Sequence, residues 1–133
     1  MKNKSLISEA KKLANKKELT SDVTVGHVGC ALETKSGKIY SGLSVGTSAN
    51  LGFCAEICAM AQMIKEGETE ILEIIATEPD GKLITPCGRC REFMFQINRN
   101  NLKTKILLSD DKYITLEELL PHRWQDYWSK NRS

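Results

Sequence analysis

Two short segments carry residue types that do chemistry in water: Cys54-Ala55-Glu56 and Pro86-Cys87-Gly88-Arg89-Cys90. A Cys-x-x-Cys pair spans two corners of a zinc tetrahedron, and Cys54 offers a third thiolate. Three protein ligands leave the fourth corner to water, which separates a catalytic zinc site from a structural one. Glu56 lies two residues past Cys54, too near for a comfortable fourth ligand. It can serve that water as a general acid and base. Both segments sit at predicted loop-to-helix boundaries, where unpaired N–H groups and the positive end of the helix dipole favour thiolates.

Spacing alone leaves two other arrangements open. A Cys-x-x-Cys pair can be a redox couple, although that leaves Cys54 and Glu56 without a role. Cys58 follows Cys54 by one helical turn, so Cys54, Cys58, Cys87 and Cys90 can also be read as four ligands of a closed structural site. Against this, Cys58 lies in an apolar helix, where cysteine serves as a small hydrophobe. Cys30 alternates within a strand and reads as core in the same way.

The elements that must position these residues follow from periodicity. Residues 5–17 predict an amphipathic helix, with Leu6, Ile7, Ala10, Leu13 and Ala14 on one face. Residues 25–33 and 38–43 predict two strands joined by a turn at 34–37, and residues 44–53 a polar loop. A helix from about Cys54 to Lys65 is apolar on almost every face and so buried on several sides. Residues 71–76 form a continuous apolar run with β-branched residues, the pattern of a strand covered on both faces. A third helix spans 88–98 and two short strands span 105–108 and 112–114. Thr115 and Glu118 make a capping-box pattern for a last helix, which Pro121 ends. The order predicts an α/β domain with a mixed five-stranded sheet between helical layers, and 1–133 as a single domain.

Composition narrows the function classes. With 41% hydrophobic and 27% charged residues, the chain falls in the globular band. A net charge of +2 is too small for a nucleic-acid footprint. The lysine-rich first 20 residues read as a solvated helix face. No window approaches the roughly 20 apolar residues of a membrane span. Five cysteines, an odd number, and a lysine-rich N-terminus without a signal-type apolar stretch predict a cytoplasmic protein with reduced thiols.

The two chemical segments, read with Arg91-Glu92, resemble the zinc signature of the cytidine deaminase family. Val28-Gly29-Cys30-Ala31-Leu32 resembles the family's first strand, and Leu119-Leu120-Pro121 with Trp124 its C-terminal segment. The resemblance implies a cytidine deaminase-like three-layer α/β/α fold with Cys54, Cys87 and Cys90 as zinc ligands. It implies that Glu56 carries protons between water, pyrimidine ring and leaving ammonia. The backbone N–H of Ala55 would meet the ring carbonyl, and Trp124 would lie over the base. Where the family often has Arg after its glutamate, this chain has Ile57. Arg89, inside the Cys-x-x-Cys loop, is similar to an arginine of blasticidin S deaminases and would offset the thiolate charge. Ser44 and Gly46 stand where nucleoside deaminases carry the Asn and Glu that read ribose. The expected substrate is therefore a small cytosine nucleoside or analogue, with a loosely read sugar. A homo-oligomer, a tetramer, is also implied, and the aromatic tail of Trp124, Tyr127 and Trp128 favours a covered surface.

Overall fold

A computed structural model describes residues 2–127, with side chains from Lys4 onward; Trp128 of the aromatic tail lies outside the described residues. Helix α1 (Lys2–Leu13) leads into a two-residue strand β1 (Lys17–Glu18). The predicted helix over 5–17 is therefore displaced towards the N-terminus. It stops early because Lys17 and Glu18 pair with Val25 and Thr24 of β2 (Val23–Thr34). Strand β3 (Ile39–Thr47) forms a hairpin with β2 and absorbs the first residues of the expected 44–53 loop. Helix α2 (Ala55–Lys65), strand β4 (Ile71–Thr77), strand β5 (Leu83–Ile84) and helix α3 (Gly88–Ile97) follow. Strands β6 (Lys105–Leu107) and β7 (Tyr113–Thr115) and the short helix α4 (Leu116–Leu119) come next, before a 3₁₀ turn at Trp124–Tyr127.

The sheet has seven strands among the described residues rather than five, because β1 and β5 are too short to leave a periodic pattern. Strand β2 pairs with β3 along one edge. Along the other it pairs with β1 near its start and with β4 near its end. Strand β4 in turn holds β5 and β6, and β6 holds β7. The β4–β6 pair is parallel and the others are antiparallel, so the sheet is mixed.

Alternation along β4 sorts the core into two layers. Ile75 packs with Ala31, Leu107, Leu6 and Ala10 beneath α1. Ile74 and Ala76 pack with Cys30, Leu32 and Ile106 against Met60 and Met63 of α2 and Met94 and Phe95 of α3. Each of these large buried side chains contributes about 1.5–3 kcal/mol relative to leaving it in water. The expected three-layer α/β/α arrangement is thus present, with α2 and α3 side by side on one face.

Helix α2 comes unusually close to the sheet at Gly42 of β3. A Cβ on that residue would lie 2.5 Å from the Ala59 backbone nitrogen and 2.8 Å from the Ala55 carbonyl oxygen. On the other side of the helix pair, the buried Asn101 ties three segments together. Its Oδ1 accepts from the Ile71 N–H at 2.9 Å, and its Nδ2 donates to the carbonyls of Thr69 and Met94. These contacts hold the first turns of α2 against β3 and the second half of α3 against the start of β4.

Candidate active site

The chain from β3 to α2 is short and held at several points. Val45 and Phe53 exchange both backbone hydrogen bonds, and Thr47 Oγ1 accepts from the Leu51 N–H at 2.8 Å. Between them Ala49 and Asn50 take left-handed backbone conformations, a cost of about 1–2 kcal/mol for a residue such as alanine. This loop delivers Cys54 as the N-cap of α2. Cys87 is likewise the N-cap of α3, and neither cysteine uses its side chain to cap the helix. Both sulfurs remain available for another partner.

Two successive crossovers, β3 to β4 through α2 and β4 to β6 through α3, place both helices on one face with their N-termini together. Cys54 Sγ lies 3.5 Å from Cys87 Sγ, and Cys87 Sγ lies 3.7 Å from Cys90 Sγ. All three sulfurs fall within 4.8 Å of one another. A zinc–sulfur bond of about 2.3 Å puts the edge of a tetrahedron at about 3.8 Å, close to the two shorter separations, so the donor set suits zinc. Among the described residues this is the group of donors that converges to hold a metal. Cys58 sits one turn along α2 with the Gln62 amide 3.8 Å from its sulfur, outside that group, and Cys30 is fully buried in the core.

The electrostatics differ between the sulfurs. Burial pushes the Cys90 thiol up, reinforced by the neighbouring Glu56 and Cys54. Burial also raises Cys54. Burial acts on Cys87 in the same sense, but the backbone N–H groups of Cys90 and Arg89 and the adjoining thiols outweigh it and hold Cys87 low. The Arg89 side chain itself is exposed, and it is the residue's backbone N–H that reaches the sulfur. A cation is therefore not the nearest stabiliser of the Cys87 thiolate. The helix terminus is, as expected for unpaired N–H groups at an N-cap.

Glu56 lies in the first turn of α2 and is only 3% exposed. Burial pushes its carboxyl above the usual range, partly opposed by hydrogen bonds from backbone N–H and from the Cys90 thiol. A narrow apolar cleft lined by Ile74, Ala76, Ile84 and Pro86 backs it. The carboxylate is thus dry on one side and beside a sulfur on the other.

The match to known families decides what this geometry belongs to. Residues 1–105 match the model of the cytidine and deoxycytidylate deaminase zinc-binding region. The chain belongs to the cytidine deaminase family. Its relatives in that family include the cytidine deaminase of Halalkalibacterium halodurans, 32% identical over 97 residues that cover 71% of this chain and 74% of that protein. The blasticidin-S deaminase of Bacillus cereus is 29% identical over 119 residues, covering 74% of this chain and 76% of that one. The fold superposes on cytidine deaminase from Mycobacterium leprae with a TM-score of 0.74 at 23% identity, over 90% of this chain and 97% of that one.

Within the family framework, the remaining expected residues fall in varied places. Ala55 is fully buried at the first position of α2. Ser44 lies on β3 rather than in a loop. Its Oγ accepts from the Val28 N–H at 3.0 Å, closing the register shift between Val25 and Gly29 in the β2–β3 hairpin. Trp124 is 47% exposed, and its indole Nε1 donates to Glu92 Oε2 at 3.1 Å. Ile57, in the position where the family often has arginine, packs against the core. Sequence reasoning gave no role to Arg91, whose Nε donates to the Pro86 carbonyl at 2.7 Å. Its second donor reaches the Leu119 carbonyl at 3.2 Å. The Pro86 partner was within reach of sequence reasoning, because the acceptor lies five residues away across a helix start. The Leu119 partner, 28 residues on, left no local signal.

Proposed function

We propose that this protein is a hydrolytic deaminase of a cytosine nucleoside or analogue, exchanging the ring amino group for a carbonyl with release of ammonia. The observation that carries the reading is the meeting of the Cys54, Cys87 and Cys90 sulfurs beside a buried glutamate. Zinc held by Cys54, Cys87 and Cys90 would supply the Lewis acidity that makes water nucleophilic near neutral pH. Glu56 takes a proton from the attacking water, passes it to the ring nitrogen and carries another to the departing amino group. Its raised pKa suits it to both directions of transfer. The Ala55 N–H, at the start of α2, meets the ring carbonyl and fixes which edge of the base faces Glu56. The exposed Arg89 offsets the thiolate charge through space.

The sugar side is read loosely. Ser44 already accepts from Val28 and has only its hydroxyl proton to offer a sugar oxygen. Gly46 offers no side chain. A site that hydrogen-bonds a hydroxyl rejects analogues lacking it by leaving its own polar groups unpaired, and here few such groups exist. The similarity to a blasticidin-S deaminase supports a nucleoside with an altered sugar as substrate. Trp124 covers the base, within a cytoplasmic homotetramer. The exposed aromatic rings of Trp124 and Tyr127 support such an assembly. No helix among the described residues is long and apolar enough to cross a membrane.

The test is ammonia release by the zinc-loaded protein from cytidine, deoxycytidine, cytosine and blasticidin S, with Glu56→Ala as control. Turnover of a nucleoside that disappears in the control supports the reading. The kcat/KM values for cytidine and deoxycytidine are expected to be similar. No release from any of the four overturns the reading, and a strong preference for cytidine overturns the loose sugar site.

A further inference from the structure

The geometry points to Arg91 as a positioning residue of the metal site, one that joins the ligand loop to the C-terminal segment; this rests on reading the three cysteines as metal ligands. The guanidinium is half-buried and spans two backbone carbonyls with two of its donors. Nε donates to the Pro86 carbonyl at 2.7 Å and the Nη1 nitrogen donates to the Leu119 carbonyl at 3.2 Å. Pro86 immediately precedes the ligand Cys87, and a peptide unit is planar. Holding the Pro86 carbonyl therefore sets the plane that places the Cys87 nitrogen and Cα, and with them the direction of its sulfur.

The other end of the fork lies at the last residue of α4. The final carbonyls of a helix have no partner within it, and a cation is favoured there. Helix α4 is itself anchored. Its capping box is complete, and the Leu116 N–H donates to the Thr104 carbonyl. Thr104 Oγ1 in turn donates to the Ile71 carbonyl at 2.7 Å. Arg91 thus refers the ligand loop to β4 through a chain of bonds that is part-buried at the guanidinium and buried at the Thr104–Ile71 link. The Cys87 end of the donor set is registered to the body of the sheet and not only to its own helix. A residue that orients a ligand without touching the metal changes metal affinity about 10- to 100-fold when removed.

The experiment compares the full chain with Arg91→Ala, Arg91→Lys and Arg123→Ala. Arg123 makes the neighbouring tie, donating to the Leu120 carbonyl and pairing with Asp126, without contacting the ligand loop. Zinc affinity by chelator competition, the absorption spectrum of the cobalt-substituted proteins and thermal unfolding are read together. Both Arg91 variants are expected to bind zinc about 10- to 100-fold more weakly and to show shifted cobalt bands. Lysine keeps the charge but has no planar fork, so Arg91→Lys should behave like Arg91→Ala. Arg123→Ala should unfold earlier and keep the parent's zinc affinity. Parent-like zinc affinity and cobalt spectrum in Arg91→Lys overturns the inference, as does an equal loss of affinity in Arg123→Ala. If the parent takes up no zinc, the metal reading falls and this inference with it. If Arg91→Ala does not fold, Arg91→Lys decides.

Discussion

Replacing Gly42 by alanine tests whether the approach of α2 to the sheet is what aligns the site. The new methyl carbon would start 2.5 Å from the Ala59 nitrogen, 2.7 Å from Cys58 Cβ and 2.8 Å from the Ala55 carbonyl oxygen. Comfortable non-bonded contact needs about 3.5–4.0 Å, so α2 must retreat by about 1 Å. Two of the three contacts are backbone, so no change of rotamer relieves them. Overpacking of this kind costs about 1–3 kcal/mol, and a backbone clash belongs at the upper end. For a domain of this length about 3 kcal/mol lowers Tm by about 10 °C. Helix α2 carries Glu56 and follows directly on Cys54, and a 1 Å misplacement can cost about 100-fold in turnover. Thermal unfolding at saturating zinc and steady-state kinetics measure the two effects together. Gly88→Ala is the matched control. It lies between two metal ligands, yet an added Cβ there meets nothing within 4 Å. It should change stability by less than about 0.5 kcal/mol and retain zinc. A Gly42→Ala protein that is destabilised yet turns over like the parent would show that α2 and α3 shift together, and the alignment argument would fail.

Other expectations are independent of that one. Glu56→Gln should keep zinc and fold but lose deamination by at least about 10²–10⁴-fold, as measured by ammonia release; parent-like turnover removes Glu56 from the chemistry. Asn101→Ala strands the buried Ile71 N–H and removes one bond each from the Thr69 and Met94 carbonyls, and should cost about 1–3 kcal/mol in urea unfolding. The Glu68 carboxylate accepts from Ser36 at 2.6 Å and from Tyr40 at 2.8 Å, which holds it below the usual carboxylate range. Its contribution is therefore complete above its unfolded pKa and is lost as pH falls through the lower folded value. Tyr40 is pushed up to about 12, by desolvation first and then by its bond to Glu68. That contribution is complete below about pH 10, the pKa of an unperturbed tyrosine, and is lost as pH rises through about 12. The stability difference between parent and Glu68→Gln should be flat from about pH 5 to 9 and shrink below about pH 4. A difference that persists at low pH contradicts the pairing.

What the sequence discloses here depends on how local each cause is. Cys87 and Cys90 are readable because three residues of helix fix their separation, and Cys54 with Glu56 because they lie two residues apart at a helix start. The bringing together of those pairs depends on two crossovers, β3 to β4 through α2 and β4 to β6 through α3. The apolar run at residues 71–76 announced its buried strand without naming its neighbours. The two-residue strands β1 and β5 escaped notice because periodicity needs more than two residues to show. Ser44 reads as loop in the sequence because its neighbours are polar. In the fold its hydroxyl is committed to a backbone N–H across the hairpin, a partner sixteen residues away. On the sequence Arg89 carries a role beside the thiolates and Arg91 carries none. Only the fold makes one a surface residue and the other a bridge between carbonyls.

The separation of the donors along the chain also orders events in time. Cys87 and Cys90 are close in any chain that forms the first turn of α3, so they can capture a metal ion early. Cys54 is thirty-three residues from Cys87 and reaches it only when α2 and α3 both rest on β4. Closing a loop of that length costs entropy that only the packed core repays. Metal uptake is therefore expected in two stages: a local thiol pair would collect the ion, and completion of the sheet would deliver the third sulfur and Glu56 together. On that order a newly made chain would acquire its reactive centre last, after the structure that shields it is already in place.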